Sequence, residues 1–145
     1  MKFWFDMDGT IADLYGVDNW LEYLMNEDTT PYDIAKGMLN LSLLARKLNA
    51  LQRQGHEIGI ISWTAKGKSD LYNGQVALAK MVWLHKHLKS VTWDHINIVP
   101  YGTSKISVCG EGILFDDEEP NRMAWGLDSA FCPESIFDIL NGFLA

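Results

Sequence analysis

The sequence predicts an α/β fold in which helices cover both faces of a doubly wound parallel sheet. Short apolar runs, of the length typical of buried strands, alternate along the chain with longer segments whose apolar residues recur at helical spacing. Strands and helices that alternate in this way form parallel sheets covered on both faces. The length of 145 residues and the hydrophobic content of 48% suit a single domain of this kind.

The first half of the chain is predicted to contain two strands and two helices. Lys2–Phe5 is a short apolar run that predicts a buried strand, and helical spacing over residues 17–26 predicts a first helix. Pro31 suits the first turn of a second helix, which is expected to run to about Gln54. Its apolar face would hold Ile34, Met38, Leu41, Leu44, Leu48 and Leu51. A second buried strand follows over residues 57–62.

The second half repeats the alternation with shorter strands. A long helix is predicted over residues 71–88, followed by strands over 96–99 and 112–115 and a short strand over 129–131. Pro133 opens the last predicted helix. The residues of the long helix expected to face the core are Val76, Met81, Val82 and Leu84.

The net charge of −7 is unevenly distributed along the chain. Residues 1–45 carry 8 acidic and 2 basic side chains, residues 46–110 carry 3 acidic and 9 basic, and residues 111–145 carry 8 acidic and 1 basic. An acidic protein is a poor match for sequence-independent binding to nucleic acid, which requires a basic surface. If the fold brings the two acidic ends together, carboxylates converge, and converging carboxylates need a cation.

The cysteines and the hydropathy indicate the compartment. Cys109 and Cys132 have no CxxC spacing, which is typical of reduced thiols in a cytoplasmic protein. No run of 18 apolar residues predicts a membrane-spanning helix, so no membrane partner is expected. Two acids within the first eight residues are incompatible with the apolar region of a secretory signal.

Polar side chains follow the predicted strands at the point where each strand ends. The first strand is followed by the segment DMDGT over residues 6–10, and the second by Ser62 and, two residues on, Thr64. Lys105 comes after the third strand, and Asp116-Asp117 follow the fourth. Ligands of open parallel sheets bind beyond the carboxyl ends of the strands. We therefore expect carboxylates, a hydroxyl group and an ammonium group at one edge of the sheet.

This set of groups suits phosphoryl transfer to a carboxylate. An aspartate nucleophile attacks phosphorus, and Mg²⁺ relieves the repulsion between the two anions. A hydroxyl group and an ammonium group bind the charge on the transferring group. A second acid, two residues after the nucleophile, protonates the leaving oxygen and then takes a proton from water.

With these motifs the sequence resembles the haloacid dehalogenase-like (HAD) phosphohydrolase superfamily. Four signatures of that superfamily occur in order: DMDGT at 6–10, an apolar strand ending in Ser62, Lys105, and the acidic pair in ILFDDEEPN at 113–121. Together they cover residues 3–121, most of the chain. The resemblance implies a Rossmann-like, doubly wound sheet with a minimal helical cap, and Mg²⁺ as the cofactor.

The resemblance also implies a role for each acidic residue. Asp6 corresponds to the nucleophile and a metal ligand, and Asp8 to the acid/base, with its backbone carbonyl as a further ligand. Asp116 corresponds to the second metal carboxylate, with Asp117 beside it as a ligand through water or as an orienting group. An aspartate at position 8 implies a phosphatase or phosphotransferase, because the ATPase branch has threonine there and the dehalogenases lack the acid.

The phosphate-binding residues are implied in the same way. Ser62 and Lys105 correspond to the groups that bind the phosphate, together with Gly9 and Thr10 of the first motif. Thr64 is an alternative to Ser62 for the hydroxyl role. Lys105 lies in the segment GTSKI rather than in a more typical Lys-Pro context.

The short insertion after the first motif limits the size of any cap over the site. Any cap is small and helical, within about residues 14–35, and the segments DMDGT-x-AD and FDDEEPN are similar to those of small 5′(3′)-deoxyribonucleotidases. The first hypothesis is a phosphomonoesterase that acts on nucleoside monophosphates. Alternatives are a phosphatase for a nucleic-acid end or a phosphoprotein, and a binding module with a catalytically weak site. Residues that could contact a nucleotide are Tyr15, Trp20, Tyr23, Lys66 and Lys68.

Overall fold

Five parallel strands form the central sheet in a computed structural model that describes residues 1–145. The strands of the chain are β1 (Lys2–Phe5), β2 (Ala12–Asp13), β3 (Lys36–Gly37), β4 (Glu57–Trp63), β5 (His95–Val99), β6 (Ile113–Phe115) and β7 (Ala130–Phe131). The central sheet has the order β5-β4-β1-β6-β7, and β2 pairs with β3 as a separate antiparallel hairpin. The chain leaves β1 towards β4 and leaves β6 towards β7. The strand order therefore reverses between β1 and β6, where open sheets of this kind bind ligands.

Seven helices connect or flank the strands. They are α1 (Trp20–Met25), α2 (Thr30–Ile34), α3 (Leu41–Arg53), α4 (Asp70–His87), α5 (Lys105–Cys109), α6 (Glu119–Trp125) and α7 (Ile136–Phe143), the last preceded by a 3₁₀ turn at Pro133–Ser135. None of these helices combines the length and the apolar character needed to cross a bilayer.

Helices pack on both faces of the sheet. Phe3 and Phe5 of β1 belong to the larger core cluster, with apolar side chains of α3, α4 and α7. Trp4, which lies between them and points to the opposite face, belongs to a second cluster with Cys109 of α5 and Trp125 of α6. A strand buried on both faces is typical of a parallel sheet in an α/β protein. The predicted doubly wound α/β fold is confirmed.

The predicted helix from Pro31 to Gln54 is wrong as a single element. Helix α2 ends at Ile34, β3 pairs with β2, and α3 begins after Asn40, whose side chain accepts a hydrogen bond from the Leu43 N–H at 3.0 Å. Ile34 and Met38 are 58% and 44% exposed, although the prediction placed them on the core-facing side. The tertiary pairing of β2 with β3 interrupts a stretch whose local spacing suggested one helix.

Residues 14–35 lie between the two strands of the β2–β3 hairpin and contain α1 and α2. This is the stretch in which the sequence predicts a small helical cap. The side chain of Tyr72 donates a hydrogen bond to the Asp28 carbonyl at 3.0 Å, and the Trp83 indole donates one to the Ala35 carbonyl at 2.8 Å. Both bonds tie the stretch to α4.

The long helix α4 differs from its prediction in the residues that it buries. Val76 and Leu84 face the core as expected, but Met81 and Val82 are exposed. Lys80 occupies the buried position between Val76 and Leu84 instead. The two short helices α5 and α6 were not expected, since segments of five and seven residues carry little helical periodicity.

Replacing Leu48 of α3 by alanine tests the larger core cluster. Leu48 is 0% exposed, and the cavity left by Leu48→Ala should lower the free energy of unfolding by about 2–5 kcal/mol. Leu78→Ala on α4 is the matched control, because Leu78 is 63% exposed and its loss should change stability by only about 0.5 kcal/mol. Urea unfolding monitored by circular dichroism measures both values. Equal losses for the two variants would contradict this assignment of the core.

Candidate active site

The site begins with two aspartates that follow neighbouring strands. Phe5 of β1 pairs in register with Phe115 of β6, so the next residues, Asp6 and Asp116, lie side by side at the carboxyl edge of the sheet. The Asp6 N–H donates to the Phe115 carbonyl at 3.0 Å, which extends the pairing by one residue. Asp6, Asp116 and Asp117 each offer a carboxylate oxygen, and these oxygens lie within 4.8 Å of one another. The acidic ends of the sequence do converge.

Lys105 contacts two of these carboxylates. It is the first residue of α5 and is buried, and its Nζ donates to Asp6 Oδ1 at 3.1 Å and to Asp116 Oδ2 at 2.7 Å. Burial alone would lower the pKa of Lys105, but the two adjoining carboxylates outweigh it, so the pKa lies above its ordinary value. Lys105 is therefore a buried cation at the centre of the acidic cluster.

The first turn of α6 holds Asp116 in place. Its carboxylate accepts hydrogen bonds from the Glu118 N–H at 2.9 Å and from the Asn121 side chain at 3.2 Å, and its carbonyl accepts one from the Arg122 guanidinium at 2.9 Å. Neither Asn121 nor Arg122 was predicted from the sequence, although Asn121 lies within the segment ILFDDEEPN. These bonds fix the Asp116 carboxylate beside Asp6.

The carboxylate cluster has the character of a divalent cation site. Burial, together with the nearby charge of Asp6, raises the pKa of both Asp116 and Asp117. Lys105 contributes one positive charge and the cluster three carboxylates, so the cluster remains net negative when all are ionised. Its donors are carboxylate oxygens, the ligands that Mg²⁺ prefers. The residues present fit a magnesium ion.

The turn after β1 explains why glycine occupies position 9. Gly9 has φ of +78°, and a Cβ at this position would overlap the Asp117 carboxylate. The N–H groups of Gly9 and Thr10 donate within the turn, to the carbonyls of Ala12 and Met7 at 2.8 and 3.0 Å. These N–H groups are therefore not free to bind a phosphate. Gly9 has no other donor, and Thr10 could contribute only its hydroxyl, which lies 3.4 Å from Asp6 Oδ2.

Two other N–H groups of the same turn have no protein acceptor. The backbone hydrogen bonds of the turn involve Asp6, Gly9 and Thr10 as donors but not Met7 or Asp8. Consecutive unpaired N–H groups at a turn form an anion-binding concavity. Met7 and Asp8 thus offer donors that the sequence analysis did not identify.

Both candidate hydroxyl residues of the second motif lie in the same cavity. Ser62 and Thr64 are buried, two residues apart at the end of β4, and both line the cavity that contains Asp6 and Asp8. The Ser62 Oγ accepts a hydrogen bond from Lys80, whereas the Thr64 N–H donates to the Val99 carbonyl at 2.9 Å. The geometry is compatible with either hydroxyl as the phosphate ligand.

Lys80 is the main residue of the site that the sequence analysis missed. Its Nζ donates to Asp8 Oδ2 at 2.9 Å, to Ser62 Oγ at 2.7 Å and to the Trp63 carbonyl at 2.7 Å. A signal did exist in the sequence. Lys80 lies four residues after Val76 and four before Leu84, so a charged residue interrupts an apolar stripe of a helix.

The cavity has a volume of about 430 Å³, within the size range of small-molecule sites. Its polar floor consists of Asp6, Asp8, Ser62, Thr64, Lys105, Glu118 and Asn121. Apolar residues of the β2–β3 insertion form one wall, namely Leu14, Tyr15, Trp20, Leu21, Leu24, Met25 and Tyr32. Tyr23 was expected to line the cavity, but it lies elsewhere on α1 and borders a separate, smaller depression.

The wall on the β4 side combines aromatic and basic residues. Trp63 and Tyr101 have ring centroids 4.8 Å apart, and the Trp63 indole donates to the Thr103 carbonyl at 2.8 Å. The ammonium group of Lys66 lies 5.7 Å from the centre of the Tyr101 ring, and Lys68 lines the same side. Lys66 and Lys68 thus lie beside the cavity, as expected from the sequence. Trp63 and Tyr101 also line it and were not predicted.

The fold and the site define a Rossmann-like α/β domain with a carboxylate cluster where the strand order reverses. No protein-family model matches the chain, and no curated protein is similar to it in sequence. Among solved structures, it is similar to the D,D-heptose 1,7-bisphosphate phosphatase from Burkholderia thailandensis. The TM-score is 0.51 and the identity 14%, and the match covers 86% of this chain and 70% of that one. At this identity, the similarity establishes the fold.

Mg²⁺ binding is expected to stabilise the protein because a cation relieves the repulsion among Asp6, Asp116 and Asp117. Adding Mg²⁺ should raise the Tm measured by differential scanning fluorimetry, and a chelator should reverse the rise. Asp117→Asn should reduce the shift, whereas Asp128→Asn, at an exposed position outside the cluster, should keep it. An equal Tm shift in Asp117→Asn and the wild type would remove Asp117 from the metal site.

Proposed function

We propose that the protein is a Mg²⁺-dependent phosphomonoester hydrolase that works through an aspartyl-phosphate on Asp6. The observation that carries this proposal is the position of Asp6. Its buried carboxylate contacts Lys105, belongs to the acidic cluster, and shares a cavity with Asp8 two residues further on. This is the arrangement that the resemblance to HAD phosphohydrolases implies, and the phosphatase with a similar fold supports the same reaction class.

The first step transfers the phosphoryl group to the protein. A carboxylate oxygen of Asp6 attacks phosphorus, and the bond between phosphorus and the ester oxygen breaks. Asp8, in its protonated form, gives its proton to the leaving oxygen, which departs as an alcohol. The product of the step is a phosphorylated Asp6 and an ionised Asp8.

The second step restores the protein. A water molecule gives a proton to Asp8 as its oxygen attacks phosphorus, and the bond between Asp6 and phosphorus breaks. Inorganic phosphate leaves, Asp6 is again a carboxylate, and Asp8 is again protonated. Atoms and charges balance over the two steps, since one phosphomonoester and one water yield one alcohol and one phosphate.

Several groups of the chain stabilise the charge on the transferring phosphoryl group. Lys105 provides a fixed positive charge, and Ser62 or Thr64 provides a hydroxyl donor. The unpaired N–H groups of Met7 and Asp8 add backbone donors at the same turn. Mg²⁺, when bound by Asp6, Asp116, Asp117 and the Asp8 carbonyl, would supply the charge that lets a carboxylate approach a phosphate.

The cavity favours a substrate with a flat apolar part, such as a nucleoside monophosphate. Tyr15 and Trp20, whose ring centroids lie 4.9 Å apart in an edge-to-face arrangement, line the cavity together with Trp63. Aromatic side chains stack on nucleobases, and the charges of Lys66 and Lys68 suit an anion. We propose that α1 and α2 act as the cap that contributes the apolar wall.

The sequence also suggests two alternative functions. A phosphatase for a nucleic-acid end or a phosphoprotein would use the same reaction on a larger substrate. A binding module with a catalytically weak site would keep the cavity without turnover. Hydrolysis of 4-nitrophenyl phosphate separates the binding module from the enzymes, and a panel of phosphorylated metabolites separates small from large substrates.

Asp6→Asn should abolish turnover of 4-nitrophenyl phosphate while leaving the protein folded. The amide is not a nucleophile, and removal of a catalytic nucleophile costs about 10⁴-fold or more in kcat. Asp18→Asn, an exposed residue before α1, is the control and should retain wild-type activity. Circular dichroism confirms folding. Activity of Asp6→Asn within about 10-fold of the wild type would exclude Asp6 as the nucleophile.

Trp20→Ala should weaken a preference for nucleoside monophosphates over sugar phosphates. The loss of a stacking surface should lower kcat/KM for the nucleotide by about 10-fold, with a smaller effect on 4-nitrophenyl phosphate. Tyr23→Ala is the matched control, since Tyr23 lies on the same helix but outside the cavity. A wild-type preference for sugar phosphates, or equal effects of the two variants, would reject the nucleotide while leaving the phosphatase chemistry intact.

A further inference from the structure

Lys80 is buried beside the cavity but is not one of its lining residues. Its residue exposure is 1%, and the cavity wall includes its partners Asp8 and Ser62 without Lys80 itself. An ammonium group has three N–H donors, and all three are used, by Asp8 Oδ2, Ser62 Oγ and the Trp63 carbonyl. No donor is left for a substrate. Any effect of Lys80 on the reaction must therefore pass through these neighbours.

The ammonium group is held from two elements other than its own helix. Two of its hydrogen bonds go to the end of β4, a strand inside the sheet, and the ring of Tyr32 on α2 lies 5.5 Å from Nζ. A buried charge with this many partners has little freedom to move. Lys80 therefore gives its third bond, the one to Asp8, from a fixed position.

Lys80 supplies the hydrogen bond that holds the Asp8 carboxylate. The bond from Lys80 to Oδ2 at 2.9 Å is the hydrogen bond that the protein provides to the Asp8 carboxylate, and Oδ1 receives none. Because the ammonium group engages Oδ2, Oδ1 is the carboxylate oxygen left free to contact the leaving group or water.

We propose that Lys80 is a positioning residue that orients the acid/base Asp8 by occupying its Oδ2. The proposal rests on the proposed function, because it assigns a task to a residue that acts through Asp8. In the first step, Oδ1 gives its proton to the leaving oxygen while the phosphorus–oxygen bond breaks. In the second step, Oδ1 takes a proton from water. Lys80 keeps its own three protons throughout and touches no reacting atom.

A positioning role for the acid predicts a dependence on the leaving group. The alkoxide leaving group of a nucleoside monophosphate needs a proton, whereas 4-nitrophenolate leaves without one. A misplaced Asp8 should therefore harm hydrolysis of the alkyl ester far more. The kcat/KM value is the appropriate measure, because it covers the steps up to departure of the leaving group.

Lys80→Met removes the three donors and keeps a side chain of similar length. Its kcat/KM should fall by about 10²-fold for a nucleoside 5′-monophosphate and by about 10-fold or less for 4-nitrophenyl phosphate. Lys86→Met, at an exposed position on the same helix, should change neither value. If the two residues act as one unit, adding Lys80→Met to Asp8→Asn should not change the ratio of the kcat/KM values for the two substrates any further.

The outcomes test the positioning role of Lys80 separately from the proposed phosphatase function. Equal losses for both substrates, or no loss, would overturn the positioning role of Lys80 while leaving the proposed function intact. If Lys80→Met does not fold, Lys80→Gln, which is shorter than lysine and keeps two of the three N–H donors, should show the same leaving-group dependence in weaker form. Failure of both variants to fold would show that Lys80 acts on the fold rather than on Asp8. A wild-type protein that hydrolyses neither substrate would instead refute the proposed function.

Discussion

The structure depends on the crowding of carboxylates at the carboxyl ends of β1 and β6. The parallel register of these strands brings Asp6 and Asp116 side by side, and Asp117 completes the cluster. Asp6 and Asp116 are buried and Asp117 is half-buried, so the three carboxylates repel one another and need compensating charge. The buried ammonium of Lys105 supplies part of it. A divalent cation bound by the cluster would supply the rest and would thereby stabilise the fold.

Two buried lysines balance the negative charge of different aspartates. Lys105 reaches Asp6 and Asp116 from α5, whose apolar side packs on one face of the sheet, while Lys80 reaches Asp8 from α4, which contributes to the core on the other face. Each ammonium group is therefore positioned by a different layer of the doubly wound fold. Asp6 and Asp8, only two residues apart, receive different partners in this way, and this difference suits the separate roles that we propose for them.

The stretch between β2 and β3 contributes apolar residues to the lining of the cavity. Its helices are short and are tied to the start of α4. Glu27 accepts hydrogen bonds from the N–H at 2.7 Å and the hydroxyl at 3.1 Å of Ser69, the N-cap of α4, and Tyr72 of α4 donates to the Asp28 carbonyl. The same helix α4 carries Lys80. The residues that line this part of the cavity and the lysine that bonds to Asp8 are thus parts of one packed unit.

The sequence by itself determined the fold class and the acidic residues of the site. Strands such as Lys2–Phe5 are local apolar runs, and the acids that follow them are adjacent in sequence, so both are visible without the structure. Only the tertiary structure decided the break between α2 and α3, which depends on the pairing of β2 with β3, and the burial of Lys80, which depends on contacts with residues 72 and 18 positions away. The only local sign of Lys80 is a charge within an apolar stripe of its helix, which does not reveal its partners. The carboxylates were therefore predictable, while the bond between Lys80 and Asp8 was not.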